Sequence, residues 1–137
     1  MRATILFLLI SSCYAFFGLI GRKQSMDVKG ILRCNNEPVG EVIVKLYAIE
    51  KGFSRKLNEG KTNADGTFML QGTTKEISKI NPQLVIYHKC NHKGRCSKKT
   101  TIEMFSRFIE NRNNVVWNYD IGPVELSMEK ATIDCKH

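Results

Sequence analysis

Apolar and polar residues alternate along most of this chain with the two-residue period of strands whose two faces meet different surroundings. The clearest stretch is residues 42–49, VIVKLYAI, where Val42, Val44, Leu46 and Ala48 fall on one face and Ile43, Lys45, Tyr47 and Ile49 on the other. A shorter strand over residues 28–33 precedes it, and the turn-forming run Asn35-Asn36-Glu37-Pro38 separates the two. Residues 62–66 read as a turn in which Gly66 supplies a positive φ; Phe68 and Leu70 alternate beyond it, and Gly72 closes that strand. Residues 73–80 predict a single irregular helical turn, after which Pro82 introduces a strand over residues 84–90.

The second half is less regular. Residues 91–99 are polar, basic and turn-rich and read as an exposed loop, followed by a strand over residues 100–104. Residues 115–121 place Val115, Trp117, Tyr119 and Ile121 on one face, which makes Trp117 a core anchor. Residues 124–126 continue or re-pair that strand beyond Gly122-Pro123, and residues 131–135 form a last short strand. The sum is an all-β, antiparallel-rich sandwich of seven to eight strands, without internal repeats.

The first residues follow a different pattern. Arg2 precedes an apolar run over residues 3–10, and a short polar stretch ends at Cys13-Tyr14-Ala15, where small residues occupy the positions a signal peptidase requires. Residues 1–15 therefore read as a secretory signal peptide. Their apolar core is too short to span a bilayer and no stop-transfer segment follows, so the mature protein is expected to be soluble and extracellular, beginning near Phe16. A lipobox-like reading of Ile10-Ser11-Ser12-Cys13 ranks below simple secretion. A mature chain of about 120 residues fits one domain; we assign residues 28–137 to it and residues 16–27 to an N-terminal extension. That extension groups Phe16, Phe17, Leu19 and Ile20 beside Arg22 and Lys23, either docked on the sandwich or displayed as a binding element.

Secretion changes how the cysteines are read. Cys13 leaves with the leader, and Cys34, Cys90, Cys96 and Cys135 remain, an even number that in an oxidising compartment implies two disulfides. His88, Cys90, His92 and Cys96 lie within one segment and all are zinc-binding types, but their spacing matches no standard finger or ribbon and strands the other two cysteines. No metal or cofactor is expected. Loss of Arg2 with the leader lowers the formal charge from +8 to +7, which favours anionic partners such as lipid head groups, glycosaminoglycans or acidic proteins. The charge is concentrated in HKCNHKGRCSKK, where Lys89, Lys93, Arg95, Lys98 and Lys99 lie on a cysteine-tethered segment, the candidate anionic-surface site. A constrained loop presents such charge without the ordering cost of a flexible tail.

The order VKGILRC, EPVGEVIVKLY, KTNADGTFMLQG, INPQLVIYHKC, a cysteine-containing loop, YDIGPVEL and a near-terminal cysteine resembles the transthyretin-like proteins secreted by nematodes. The resemblance spans nearly the whole mature chain. It implies the transthyretin β-sandwich and an extracellular protein that is not an enzyme; Met104-Phe105 departs from it where the family often carries a proline. The packing it implies suggests Cys34 with Cys90 and Cys96 with Cys135, the rival being a local Cys90–Cys96 clip with a long Cys34–Cys135 bridge. Hydrolases of the same fold use a first-strand histidine and a C-terminal Tyr-Arg-Gly-Ser; here Lys29 takes the first position, and the sequence ends Asp134-Cys135-Lys136-His137. His88, on the face of Leu84 and Ile86, reads as a buried structural histidine, and no residue is marked as a nucleophile.

Some members of the resembled family bridge exposed phosphatidylserine and a receptor on an engulfing cell. The expected function is therefore a secreted binding or bridging protein, its partners an extracellular protein or cell-surface receptor and an anionic lipid surface, with nucleic acid excluded. The alternative is an extracellular carrier of a small apolar ligand. There is no Asn-X-Ser/Thr acceptor whose sugar would mask the basic segment.

Overall fold

A computed structural model describes residues 23–50, 52–75, 81–104 and 115–136. Residues 1–22, which hold the expected signal peptide and the start of the expected extension, and the Trp117 side chain lie outside the described residues. Nine strands are present among them: β1 (Lys23–Cys34), β2 (Glu37–Pro38), β3 (Ile43–Glu50), β4 (Phe53–Lys61), β5 (Thr67–Lys75), β6 (Asn81–His88), β7 (Ser97–Glu103), β8 (Val115–Glu125) and β9 (Thr132–Asp134), with one 3₁₀ turn at Leu126–Met128.

The strands form two facing sheets. In the first, β1 is the hub, antiparallel to β5 along Lys23 to Ile31, antiparallel to β2 at its end, and parallel to β8 on its other edge. The second sheet runs β4-β3-β6-β7-β9, every neighbouring pair antiparallel. A β-sandwich follows because β1, β3, β5 and β6 each have an apolar row to bury. Met26, Val28 and Leu32 of β1 and Phe68 and Leu70 of β5 face Val44, Leu46 and Ala48 of β3 and Leu84 and Ile86 of β6 across the core.

The row read on residues 42–49 is the core row, with Val44 and Leu46 fully buried. The opposite row is also partly covered: the Lys45 ammonium lies 5.0 Å from the Tyr87 ring centre on the outer face, its alkyl stem shielding the aromatic.

Several boundaries differ from the sequence reading for identifiable reasons. β4 has no signal in the sequence, since FSRKLNEGK has no alternation of its own and becomes a strand by pairing with β3 along its length. Gly72 does not close β5. It lies inside the strand because Leu57 and Leu46 fill the space of its missing side chain, at 3.1 and 3.2 Å from where a Cβ would stand. Residues 73–75 are strand rather than helical turn, and residues 76–80 lie outside the described residues. β6 stops at His88, leaving Cys90 in a turn, and β7 starts already at Ser97. β8 runs unbroken through Gly122-Pro123, where Gly122 takes φ +66 and the register against β1 shifts. β1 begins at Lys23, so the buried Met26 belongs to the sandwich.

Two turns fix the ends of the sheets. Asn35 and Asn36 both take positive φ, 54° and 68°, the conformation of a two-residue hairpin turn that matches strand twist. At the next hairpin Gly66 has φ +83, and a Cβ there would stand 2.5 Å from the Leu32 carbonyl oxygen, so only glycine fits. The Asp65 carboxylate completes this turn by accepting from the Thr67 hydroxyl and then the Thr67 amide, which in that order hold its pKa below the usual value.

Candidate functional site

The residues singled out for function gather at one end of the sandwich, where β6 leaves and β7 enters the second sheet. Two disulfides organise this end. Cys34, the last residue of β1, bonds Cys90, just past β6, and so joins the two sheets; Cys96, just before β7, bonds Cys135, just past β9. With both cysteine pairs oxidised, the His88, Cys90, His92, Cys96 set supplies no thiolate for zinc.

His88 is 4% exposed and sits on the inward row. Its Nδ1 accepts from the Cys90 amide at 3.1 Å, which places the ring proton on Nε2, 2.8 Å from the Thr100 hydroxyl oxygen. Burial, then the positive charge of Lys98, pushes its pKa down to about 4. The ring is therefore neutral at physiological pH and spends both nitrogens on the fold, locking the chain as it leaves β6 for the disulfide.

The five cations do not form one loop surface. Lys89, Lys93 and Arg95 are exposed in the connection between β6 and β7. Lys98 and Lys99, read as loop residues, are half-buried strand residues of β7, so they point to opposite faces: Lys98 pairs with His88 on the inward row and Lys99 with Tyr87 on the outer row.

The tertiary structure adds groups that the sequence reading missed. The Cys96–Cys135 bond draws exposed Lys136 to this end, and β9 sets Ile133, 57% exposed, opposite Lys98. The Glu125 carboxylate accepts from the amides of Asn35 and Asn36 at 2.9 and 2.6 Å, and from the amide and hydroxyl of Ser127. The Ser127 hydroxyl first, then these amides, hold its pKa down to about 2. Asn35 reaches across to Asn91, side chain to side chain at 2.8 Å, linking the hairpin turn to the basic connection. The paired asparagines signal a turn in sequence, whereas nothing local to Glu125 announces partners 89 and 90 residues away.

Lys29 is exposed on the outer face of β1, with its ammonium 4.0 Å from the Asp120 carboxylate. A surface ion pair at that distance contributes little, and it gives the lysine no catalytic setting.

The transthyretin-like family model matches residues 29–104, from β1 through β7. The chain belongs to the transthyretin-like family. Among its relatives in Caenorhabditis elegans, transthyretin-like protein 5 is 38% identical with 100% of each chain covered. Transthyretin-like protein 33 is 34% identical over 83% of each chain, and transthyretin-like protein 2 is 32% identical over 92% of this chain and 90% of its own. Proteins of the transthyretin-like family are in general binders rather than enzymes, and the family and the two disulfides are consistent with secretion. No helix among the described residues is long and apolar enough to cross a membrane.

Proposed function

We propose that this transthyretin-like protein is secreted after removal of residues 1–15, has no catalytic activity, and acts as an extracellular bridge between anionic cell surfaces that display phosphatidylserine and a protein receptor. The observation that carries this reading is the clustering of cations on a disulfide-braced end: exposed Lys89, Lys93 and Arg95, half-buried Lys98 and Lys99, and Lys136 brought in by Cys135. Each cation that reaches an anionic bilayer contributes about 1 kcal/mol; exposed Lys89, Lys93, Arg95 and Lys136 supply most of that attraction, and Lys98 and Lys99, on opposite faces of β7, do not both add to it. Exposed Ile133 beside Lys98 adds an apolar contact to the electrostatic one. The receptor contact is drawn from bridging by members of the resembled family.

Liposome co-sedimentation of the oxidised mature protein, with and without phosphatidylserine, tests the reading. The expected result is binding only to the anionic vesicles, weakened by salt and lost when Lys93, Arg95, Lys98 and Lys99 are all replaced by alanine. Equal partition onto neutral vesicles, or undiminished binding by the quadruple variant, rejects it.

A further inference from the structure

A cavity of about 420 Å³ opens at the same end of the sandwich, between the start of β3 and the end of β6. Its apolar wall is Val39, Val42, Ile43 and Leu126 together with the Cys34–Cys90 disulfide. The volume falls within the range of small-molecule sites. The 39–42 link beside this space is braced by hydrogen bonds, with Val42 packed into the core and Val39 against it. Thr62, 3% exposed, donates its hydroxyl to the Val39 carbonyl at 2.7 Å and accepts from the Val42 amide at 3.0 Å; its own carbonyl accepts from the Glu41 amide at 3.0 Å. The Val39 amide is held by the Leu32 carbonyl at 3.1 Å. This bracing also imposes φ +61 on Glu41, a left-handed backbone in a residue with a Cβ, at the rim of the cavity. Such strain persists only where surrounding bonds enforce it.

The polar groups around the cavity limit what can occupy it. Both ring nitrogens of His88 are already engaged. The Glu41 carboxylate is offset by the Lys61 ammonium at 3.8 Å. Lys89, exposed on the other side, has no carboxylate partner among the described residues. A cation with no carboxylate partner among the described residues, beside an apolar wall, fits a monoanionic head on an apolar body. We propose that the cavity is a binding site for a small amphiphilic carboxylate of the medium-chain fatty acid class, its alkyl chain against Val39, Val42 and Leu126 and its head paired with Lys89. This site shares Lys89 with the membrane-binding reading and differs from it in occupant, a free monomeric ligand held in the cavity.

The test uses decanoate as probe and decanol as the uncharged control, titrated into the oxidised mature protein by calorimetry, with methyl NMR to locate the site. Decanoate is expected to saturate with a Kd of about 0.1 mM or tighter, shifting the methyl resonances of Val39, Val42 and Leu126. Lys89→Glu is expected to weaken decanoate at least about ten-fold while leaving decanol within about two-fold. Val39→Trp, at a half-buried rim position, should block both ligands, and the NMR spectrum reports whether that variant remains folded. Absence of saturable decanoate binding, methyl shifts outside the cavity wall, or an unchanged decanoate affinity in Lys89→Glu each overturns the proposal. Because the liposome test leaves Lys89 in place, either idea can fail alone.

Discussion

The two disulfides lie close together at one end of the sandwich yet hold different kinds of structure. Cys34–Cys90 connects one sheet to the other, with Cys90 6% exposed beside buried His88. Cys96–Cys135 closes the edge of a single sheet, with Cys135 exposed and β9 only three residues long. Loop entropy in the unfolded chain does not separate them: spacings of 56 and 39 residues both correspond to about 4 kcal/mol. The difference lies in the folded state. Breaking the first bond leaves two thiols where the sheets meet, while breaking the second lets β9 fray into water and regain entropy. Covalent bonds of equal nominal value thus brace the core in one case and a surface segment in the other.

The largest predicted effect breaks the comparison most directly. Cys34→Ser with Cys90→Ser is expected to lose about 4 kcal/mol or more in urea unfolding. Cys96→Ser with Cys135→Ser should lose less than about 2 kcal/mol, because fraying of β9 returns part of the entropy. Equal losses would show that both bonds act only on the unfolded chain.

Next in size is the acid response at the inner bond. The folded-state pKa of His88 is about 4, below the unfolded value of about 6.5, so its neutral form is the folded one. Its contribution is complete above pH 6.5 and falls by roughly 3 kcal/mol as pH drops from 6.5 to 4. Replacing His88 with Gln should flatten that part of the stability profile, measured by denaturant midpoints across the range. A slope that survives the substitution would assign the response to other groups.

The smallest effect lies at the surface. Glu125 has its pKa lowered to about 2, so its support of the Asn35-Asn36 turn is present above about pH 4.5 and is lost as pH falls toward 2. Glu125→Gln should raise amide exchange at Asn35 and Asn36 at neutral pH while leaving β3 and β6 amides protected. Uniform loss of protection would mean that the turn braces the whole sandwich rather than its own end.

Legibility in the sequence follows the range over which each feature is determined. Val42, Val44, Leu46 and Ala48 announce a buried row because alternation acts between residues two apart, and all four are buried. Gly66 announces a turn because a positive φ is a property of one residue. β4 announces nothing, since its extended shape comes from β3. The basic segment was legible as charge, but the division of Lys98 and Lys99 between opposite faces depends on β7 beginning at Ser97 and pairing with β6.

What the sequence determined by itself was therefore the all-β class, the inward rows of the main strands, the turn residues and the cationic run, all set by sterics and burial within a few positions. The resemblance to relatives supplied a suggested cysteine pairing. The parallel pairing of β8 with β1, the bonds from the Asn35 and Asn36 amides to Glu125 and the cavity beside Cys34–Cys90 arise only on folding. Each of these joins groups far apart in the chain, whose meeting is fixed by how whole sheets stack and not by any residue's own preference.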